Sequence, residues 1–251
     1  MSADIWGEVG ATVPIVDLDG ALVRLVESQE QIATNRLVDT LEEQALLESL
    51  LDGSKPPLPK ATSGLHYLLA TPFRYPPLRH GSRFGRHFEP SLFYAAASTS
   101  TVLAESAYYR FVFWQGMTVA PSSALTTQHT LFGATWRCAR GLQLQREPFE
   151  AWRDALTDPA DYGATQRLGS AMRSAGVEAF EYVSARDLER GINVALFTPM
   201  ALAVRRPVFT EAWLAETSAD EVRFYSREEH RVHRFPLQRF LVDGRLPTPA
   251  V

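Results

Sequence analysis

The chain has one cysteine, Cys138, in 251 residues, so no disulfide can form within it. That usage fits a reducing compartment, and cytoplasmic localisation is expected. No apolar run approaches the roughly 20 residues that cross a bilayer. The opening MSADIWGEVG lacks both a basic and an apolar signal region, so no membrane association or secretion is expected. The phosphate loop G-x-x-x-x-G-K-[ST] is missing, as is G-x-G-x-x-G after a strand. H-E-x-x-H is absent and Cys138 has no C-x-x-C companion, so no metal is expected. Ser184 sits in no G-x-S-x-G elbow, which argues against a serine hydrolase. Excess positive charge is lacking too. A net charge of −4 disfavours direct nucleic-acid binding.

What is present is a composition ordinary for a globular protein, 45% hydrophobic and 22% charged. Charge is uneven along it. Thr71 to Pro90 carries Arg74, Arg79, Arg83, Arg86, His80 and His87 against Glu89 alone, whereas Asp39 to Asp52 holds five acids and no base. A short basic segment in an acidic chain suits a small anionic ligand better than a long polyanion.

Ile15 to Val26 reads as one or two strands broken at Asp17–Gly20. Ser28 with Gln31 forms a capping-box pattern for a helix carrying Leu37, Val38, Leu41 and Ala45 on one face. Leu46, Leu47, Leu50 and Leu51 widen that face, so the helix end is expected to be buried on more than one side. Lys55 to Pro90 reads as a long binding loop. Strand Leu92–Ala97, helix Thr99–Phe113, a β-like Thr127–Gln145 and helix Asp161–Ser174 follow. Val177–Val183, Asn193–Thr198, Val222–Tyr225 and His230–Phe235 are short strands, the last read as solvated. Strands and helices without βαβ alternation predict an α+β fold.

Glu105 is the most informative residue. Its helical neighbours Thr101, Val102, Tyr108, Tyr109 and Val112 give it no cationic partner, and Arg110 projects away from it. A carboxylate on an apolar stripe needs compensation. Either donors from elsewhere in the fold satisfy it, or it is a pocket carboxylate acting on a ligand. Arg83, in Gly81-Ser82-Arg83-Phe84-Gly85, combines close backbone approach with a fork that grips phosphate. Tyr94 shares a strand face with Leu92 and Ala96, as a core tyrosine does, and beside Glu105 its ring could stack on an aromatic ligand.

Together these segments resemble the RES family, named for its arginine, glutamate and serine. The match runs through GSRFGRHFEPSLFYAAASTSTVLAESAYYR, Gly81 to Arg110, and DYGATQRLGSAMRSAGVEAFEYVSARDLERGINVALF, Asp161 to Phe197. The resemblance places Arg83, Tyr94, Glu105 and Ser184 on the family's pocket residues and Arg24 on its early arginine. The family often has Arg-Tyr at that arginine, where this chain has Arg24-Leu25. Some members carry a serine before the Thr165-Gln166 position, where this chain has Gly163.

The resemblance implies an ADP-ribosyltransferase-like fold with small mixed sheets flanked by helices. It implies a single domain, 1–251, with a core of about 22–198, an inserted loop at 55–77 and a C-terminal β extension at 199–251. NAD is the implied co-substrate. Glu105 and Arg83 take the catalytic roles, and Arg24, Arg83, Tyr94 and Ser184 bind NAD. The implied activity is that of a toxin breaking the nicotinamide–ribose bond and passing ADP-ribose to a protein, phosphate or water. The implied partner is an Xre antitoxin with a DUF2384-like domain, blocking the cleft; a modified protein is the further expected partner. A non-catalytic nucleotide- or anion-binding module is the reading of a different class.

Overall fold

The computed structural model describes residues 4–28, 40–228 and 230–248. Its strands are β1 (Val16–Glu27), β2 (Phe93–Ala96), β3 (Leu125–Gln143), β4 (Ala179–Val183), β5 (Ile192–Leu196), β6 (Phe209–Thr217), β7 (Glu221–Ser226) and β8 (Arg231–Pro236). The helices are α1 (Ile5–Val9), α2 (Leu41–Ser54), α3 (Tyr67–Ala70), α4 (Thr99–Gln115), α5 (Arg153–Leu156) and α6 (Gly163–Ser174). The fold is α+β with a mixed sheet flanked by helices, as expected.

The strands form one sheet in the order β1-β2-β5-β4-β3-β6-β7-β8, and β1 also pairs with β3. The first five strands therefore close on themselves. Closure removes edges and encloses a core of Leu22, Phe93, Phe132, Trp136, Val194 and Leu196. β3 is long enough to serve both sides: one edge pairs with β1, while the other takes β6 at its start and β4, in parallel, at its end. β1 is one strand through Asp17–Gly20, not two, because its ladder to β3 supplies partners across the expected break. Gly20 lies against the Trp136 indole there, where a Cβ would sit 3.2 Å from Nε1.

α4 starts where Ser98 accepts the Thr101 amide at 3.3 Å, and it stops at Gly116. Its Leu103, Ala107, Tyr108 and Phe111 pack under β6, β7 and the C-terminal Phe240 and Leu246. α6 buries Ala164, Thr165, Leu168, Gly169 and Met172 at helical spacing against the opposite, outer face of the ring.

The expected helix from Ser28 is corrected at its start. Residues 29–39, which include Gln31, Leu37 and Val38, lie outside the described residues. Ser28 itself continues the β1 ladder, donating its amide to the Gln128 carbonyl. The reciprocal capping box is instead Thr40 with Glu43, whose side chains each accept the other's amide at 3.1–3.2 Å. The leucine-rich end is not buried on several sides: Leu46, Leu50 and Leu51 are exposed. Lys55–Pro90 contains α3 and two 3-10 turns, and β6 was not recognised in the sequence.

α6 approaches the Gly81–Gly85 loop so closely that a Cβ on Gly169 would lie 1.8 Å from the Phe84 carbonyl oxygen. Gly169→Ala should therefore cost about 1–3 kcal/mol of stability, read by urea unfolding. Gly53→Ala, in a helical segment with nothing within 4 Å, should be neutral or slightly stabilising. Equal effects at the two sites would refute the close-approach argument.

Candidate active site

A cleft of about 840 Å³ opens along one face of α4, from Val102 through Glu105, Ser106, Tyr109 and Arg110 to Phe113. Its size suits a small ligand. Arg24, Arg83 and Tyr94 line it with Glu105, as do Tyr162, Tyr182, His129 and Asn193. Ser184 stands behind this wall and reaches the site through Glu105.

The Glu105 carboxylate is held asymmetrically. Oε1 accepts Ser184 Oγ–H at 2.6 Å and Asn193 Nδ2–H at 2.7 Å. Oε2 has no hydrogen-bond partner among the described residues. The compensation that the apolar stripe demands is therefore supplied by a hydroxyl and an amide. No arginine pairs with this carboxylate among the described residues. Asn193 is the residue the sequence did not reveal: on β5, its side chain reaches Glu105 from the strand between β2 and β4.

Ser184 is fixed in turn. Its Oγ accepts the Arg186 and Asp187 amides at 3.1 Å, forming a tight turn after β4. Asp187 Oδ2 accepts Thr101 Oγ–H at 2.9 Å, clasping that turn to the first turn of α4. Gly191 closes the clasp, because a Cβ there would lie 1.9 Å from Thr101 Oγ1. Arg186 is buried behind the site, donating to the Pro159 carbonyl at 2.6 Å and to Tyr162 Oη at 3.1 Å, with its guanidinium 3.5 Å over the Tyr108 ring.

The Gly81–Gly85 loop folds on itself: Gly81 has φ +73° and Ser82 donates its amide to the Gly85 carbonyl at 2.7 Å. Gln166 clamps it from α6, donating to the His80 and Ser82 carbonyls at 2.8 and 3.0 Å. Arg83 leaves this loop as a buried side chain, with Nη1 donating to the Asp158 carbonyl at 2.8 Å and the guanidinium 4.5 Å over the Tyr162 ring. These contacts orient the fork, and among the described residues no carboxylate pairs with it.

Tyr94 adds a function the sequence did not suggest. Its hydroxyl accepts the Phe84 amide at 3.0 Å and shares a proton with Ser82 Oγ at 2.9 Å, so it props the arginine loop from beneath. Burial pushes its phenol up to about 12 despite those bonds, and it stays protonated. Arg24 donates to the Tyr94 carbonyl and lies 5.3 Å over the Phe93 ring, while its buried Nε has no hydrogen-bond partner among the described residues. Burial lowers it to about 10, which leaves it cationic at neutral pH.

At the far end of the cleft, Arg110 projects away from Glu105, as its place on the helix suggests, towards β3 and β6. It donates Nη1–H to His129 Nε2 at 3.1 Å and Nε–H to Thr217. Arginine can only donate, so Nε2 is the lone-pair nitrogen and His129 is neutral. Burial and then Arg110 push this imidazole down to about 4. Among the described residues, no three His, Cys, Asp or Glu side chains gather to hold a metal, and no helix is long and apolar enough to cross a membrane.

A helix-borne carboxylate with one oxygen bonded, and the other without a hydrogen-bond partner among the described residues, thus shares an aromatic-walled cleft with Arg24 and Arg83. The RES domain profile matches residues 57–218, and the chain belongs to the RES domain family. That span includes Arg83, Tyr94, Glu105 and Ser184. No curated protein matches the chain. Among solved structures, one similar chain comes from the M. tuberculosis MbcT–MbcA toxin–antitoxin complex, at 11% identity and a TM-score of 0.45, covering 78% of this chain and 85% of that one.

Two predictions follow from the geometry. Tyr94→Phe removes a buried hydroxyl but keeps the ring, so it should cost about 1–3 kcal/mol and speed hydrogen exchange at the Phe84 amide. Unchanged exchange at that amide would remove the propping role. The second concerns His129. In the unfolded chain it takes a proton near its ordinary value of 6.5; folded, it does so only near about 4. Its contribution to stability is therefore intact above pH 6.5 and is lost progressively as pH falls towards 4, by roughly 3 kcal/mol. His129→Gln should flatten that part of the stability–pH curve. A slope identical to the parent's would show that His129 does not carry it.

Proposed function

We propose that this chain is the toxin of a RES–Xre type II toxin–antitoxin pair, acting in the cytoplasm, where it breaks the nicotinamide–ribose bond of NAD and transfers ADP-ribose to a protein. The observation that carries this reading is Glu105, with Oε1 immobilised by Ser184 and Asn193 and Oε2 free in a cleft shared with Arg83 and Arg24. Membership of the RES domain family supports it.

The bond that breaks joins ribose C1′ to the pyridinium nitrogen. Its electron pair leaves with nicotinamide, which becomes neutral, and positive charge develops over C1′ and the ring oxygen. A fixed carboxylate beside that charge stabilises the transition state more than the ground state, because no solvent reorganisation is needed when the charge appears. Glu105 Oε2 takes that place and accepts a ribose hydroxyl. The acceptor's nucleophile then bonds to C1′ and gives up its proton to solvent. Arg83 and Arg24 hold the diphosphate. Tyr94 contributes a rigid wall to the nicotinamide side, and Ser184 acts by positioning Glu105.

The cleft mouth fits an inhibiting partner. Tyr67, Tyr75, Leu78, Tyr109 and Phe113 line the cleft and are exposed. An aromatic rim of this kind, with basic Arg79 and Arg86 nearby in sequence, suits an inserted loop or terminus of a DUF2384-type antitoxin.

Release of nicotinamide from NAD by the purified chain tests the activity, and mass analysis of products with lysate, phosphate or buffer alone identifies the acceptor. ADP-ribosyl protein supports the favoured acceptor. ADP-ribose 1″-phosphate or free ADP-ribose would replace it with phosphorolysis or hydrolysis, and no release under any condition would favour a non-catalytic module. Glu105→Gln should lower turnover by roughly 100-fold, about 3 kcal/mol of barrier, with NAD still bound. Arg83→Ala should weaken NAD binding as well as turnover. A folded Glu105→Gln protein with near-normal turnover would overturn the assignment.

A further inference from the structure

Behind the exposed rim, Tyr94, Tyr162 and Tyr182 line the cleft. Two of their hydroxyls are engaged: Tyr94 Oη with Ser82 and the Phe84 amide, and Tyr162 Oη by accepting from Arg186. Tyr182, on β4, differs. It is 6% exposed, and its hydroxyl has no hydrogen-bond partner among the described residues. Nor is that hydroxyl sealed from solvent, as the unpartnered Arg24 Nε is.

The sheet carries Tyr182 to the carboxylate. In the β4–β5 ladder it lies directly opposite Asn193, so both side chains leave the same face with Cβ atoms about 5 Å apart. Two residues on, Ser184 keeps the alternation, its amide bonded to the Gly191 carbonyl. Tyr182 is therefore flanked by both donors that hold Glu105 Oε1. Neighbouring rings fix it, Phe84 edge-on at 4.8 Å and Tyr94 edge-on at 6.5 Å. Burial, and next the Glu105 charge, push its phenol well above its ordinary value, so it keeps its proton and stands ready to donate.

A carboxylate only accepts, whereas a sugar hydroxyl both gives a proton and takes one. Glu105 Oε2 answers the first need and leaves the second open. We propose that Tyr182 Oη–H donates to the oxygen of the sugar hydroxyl whose proton Glu105 Oε2 accepts, so that the pair selects a ribosyl ligand carrying that hydroxyl over its deoxy form. Naming the sugar as the nicotinamide ribose of NAD rests on the function proposed above. Ser184 and Asn193 orient the carboxylate, and Tyr182 touches the ligand itself. A site built to bond a hydroxyl from both sides rejects a ligand without it, because two buried polar groups are then left unpaired.

Calorimetric titration with ADP-ribose and with its 2″-deoxy and 3″-deoxy forms tests this role. Tyr182→Phe keeps the ring and removes only the hydroxyl. It should weaken ADP-ribose roughly three- to tenfold, while one of the deoxy forms binds parent and variant alike, since the group that the phenol reads is gone from it. Equal weakening on all three ligands, or none on ADP-ribose, would overturn the proposal, as would a parent protein that binds none of them at millimolar concentration. Thermal melts separate recognition from structure. Tyr182→Phe should melt with the parent, unlike Tyr94→Phe, and a drop as large as that of Tyr94→Phe would reveal a protein partner for the hydroxyl and remove the donor role. The two readings fail differently. Deoxy discrimination that Tyr182→Phe abolishes, with no nicotinamide released from NAD by the parent, keeps the sugar donor and removes the NAD chemistry. Nicotinamide released by Tyr182→Phe with the parent's kcat and KM, and ADP-ribose bound as tightly as by the parent, does the reverse.

Discussion

The hydrogen bonds from Ser184 and Asn193 to one oxygen of Glu105 are the constraint on which the rest of the site depends. They make it possible to keep a carboxylate on the apolar face of α4 without neutralising it with an arginine. Two neutral donors satisfy one oxygen without adding a cation to the site. The donors come from segments far apart in sequence, so α4 and β5 and the turn after β4 must keep their relative places. The Thr101–Asp187 bond and the absence of a side chain at Gly191 hold them there.

The arginines divide along a related line. Arg186 is spent on structure, between the Pro159 carbonyl, Tyr162 and the Tyr108 ring. Arg83 is partly spent, tied to carbonyls beyond α5 yet still on the cleft wall. Arg24 Nε and Arg110 Nη2 are buried and have no hydrogen-bond partner among the described residues. Aromatic faces support all but Arg110, which uses a neutral imidazole in the same capacity. A carbonyl, a ring face or an imidazole lone pair orients a guanidinium without removing its charge, and so the wall stays positive.

What the sequence revealed was what is local. Ser98 before an apolar-periodic run located α4, alternation located β2 and β3, and the missing helical cation near Glu105 marked that carboxylate. Asn193 could not be read, because an asparagine in a short apolar strand carries no sign of where its amide points; only the β2–β5–β4 pairing aims it at α4. The direction of Arg110 was legible: five residues along a helix turn it away from Glu105, and it bonds Thr217 on β6 and His129 on β3. The leucines of α2 were expected inside because their spacing is amphipathic, yet Leu46, Leu50 and Leu51 face solvent among the described residues. Periodicity shows that a helix has an apolar face and does not show what covers it. β6 went unseen because its run, Phe209–Thr217, interleaves Glu211 and Glu216 with apolar residues, and its identity as a strand is settled by the free edge of β3.

The C-terminal strands are more than an appendage to the closed ring. β6 supplies Thr217, which holds Arg110 Nε, and it completes the second edge of β3, which sets His129 beside that arginine. β7 adds Phe224, whose ring meets the His129 imidazole edge-on at 6.1 Å and excludes the water that would otherwise let it protonate. Farther on, Tyr108 donates its hydroxyl to the Pro247 carbonyl at 2.6 Å, tying the end of the described chain to the buried side of α4. The Glu105 end of the helix is thus fixed by the turn after β4, and the Arg110 end by the strands that follow β5.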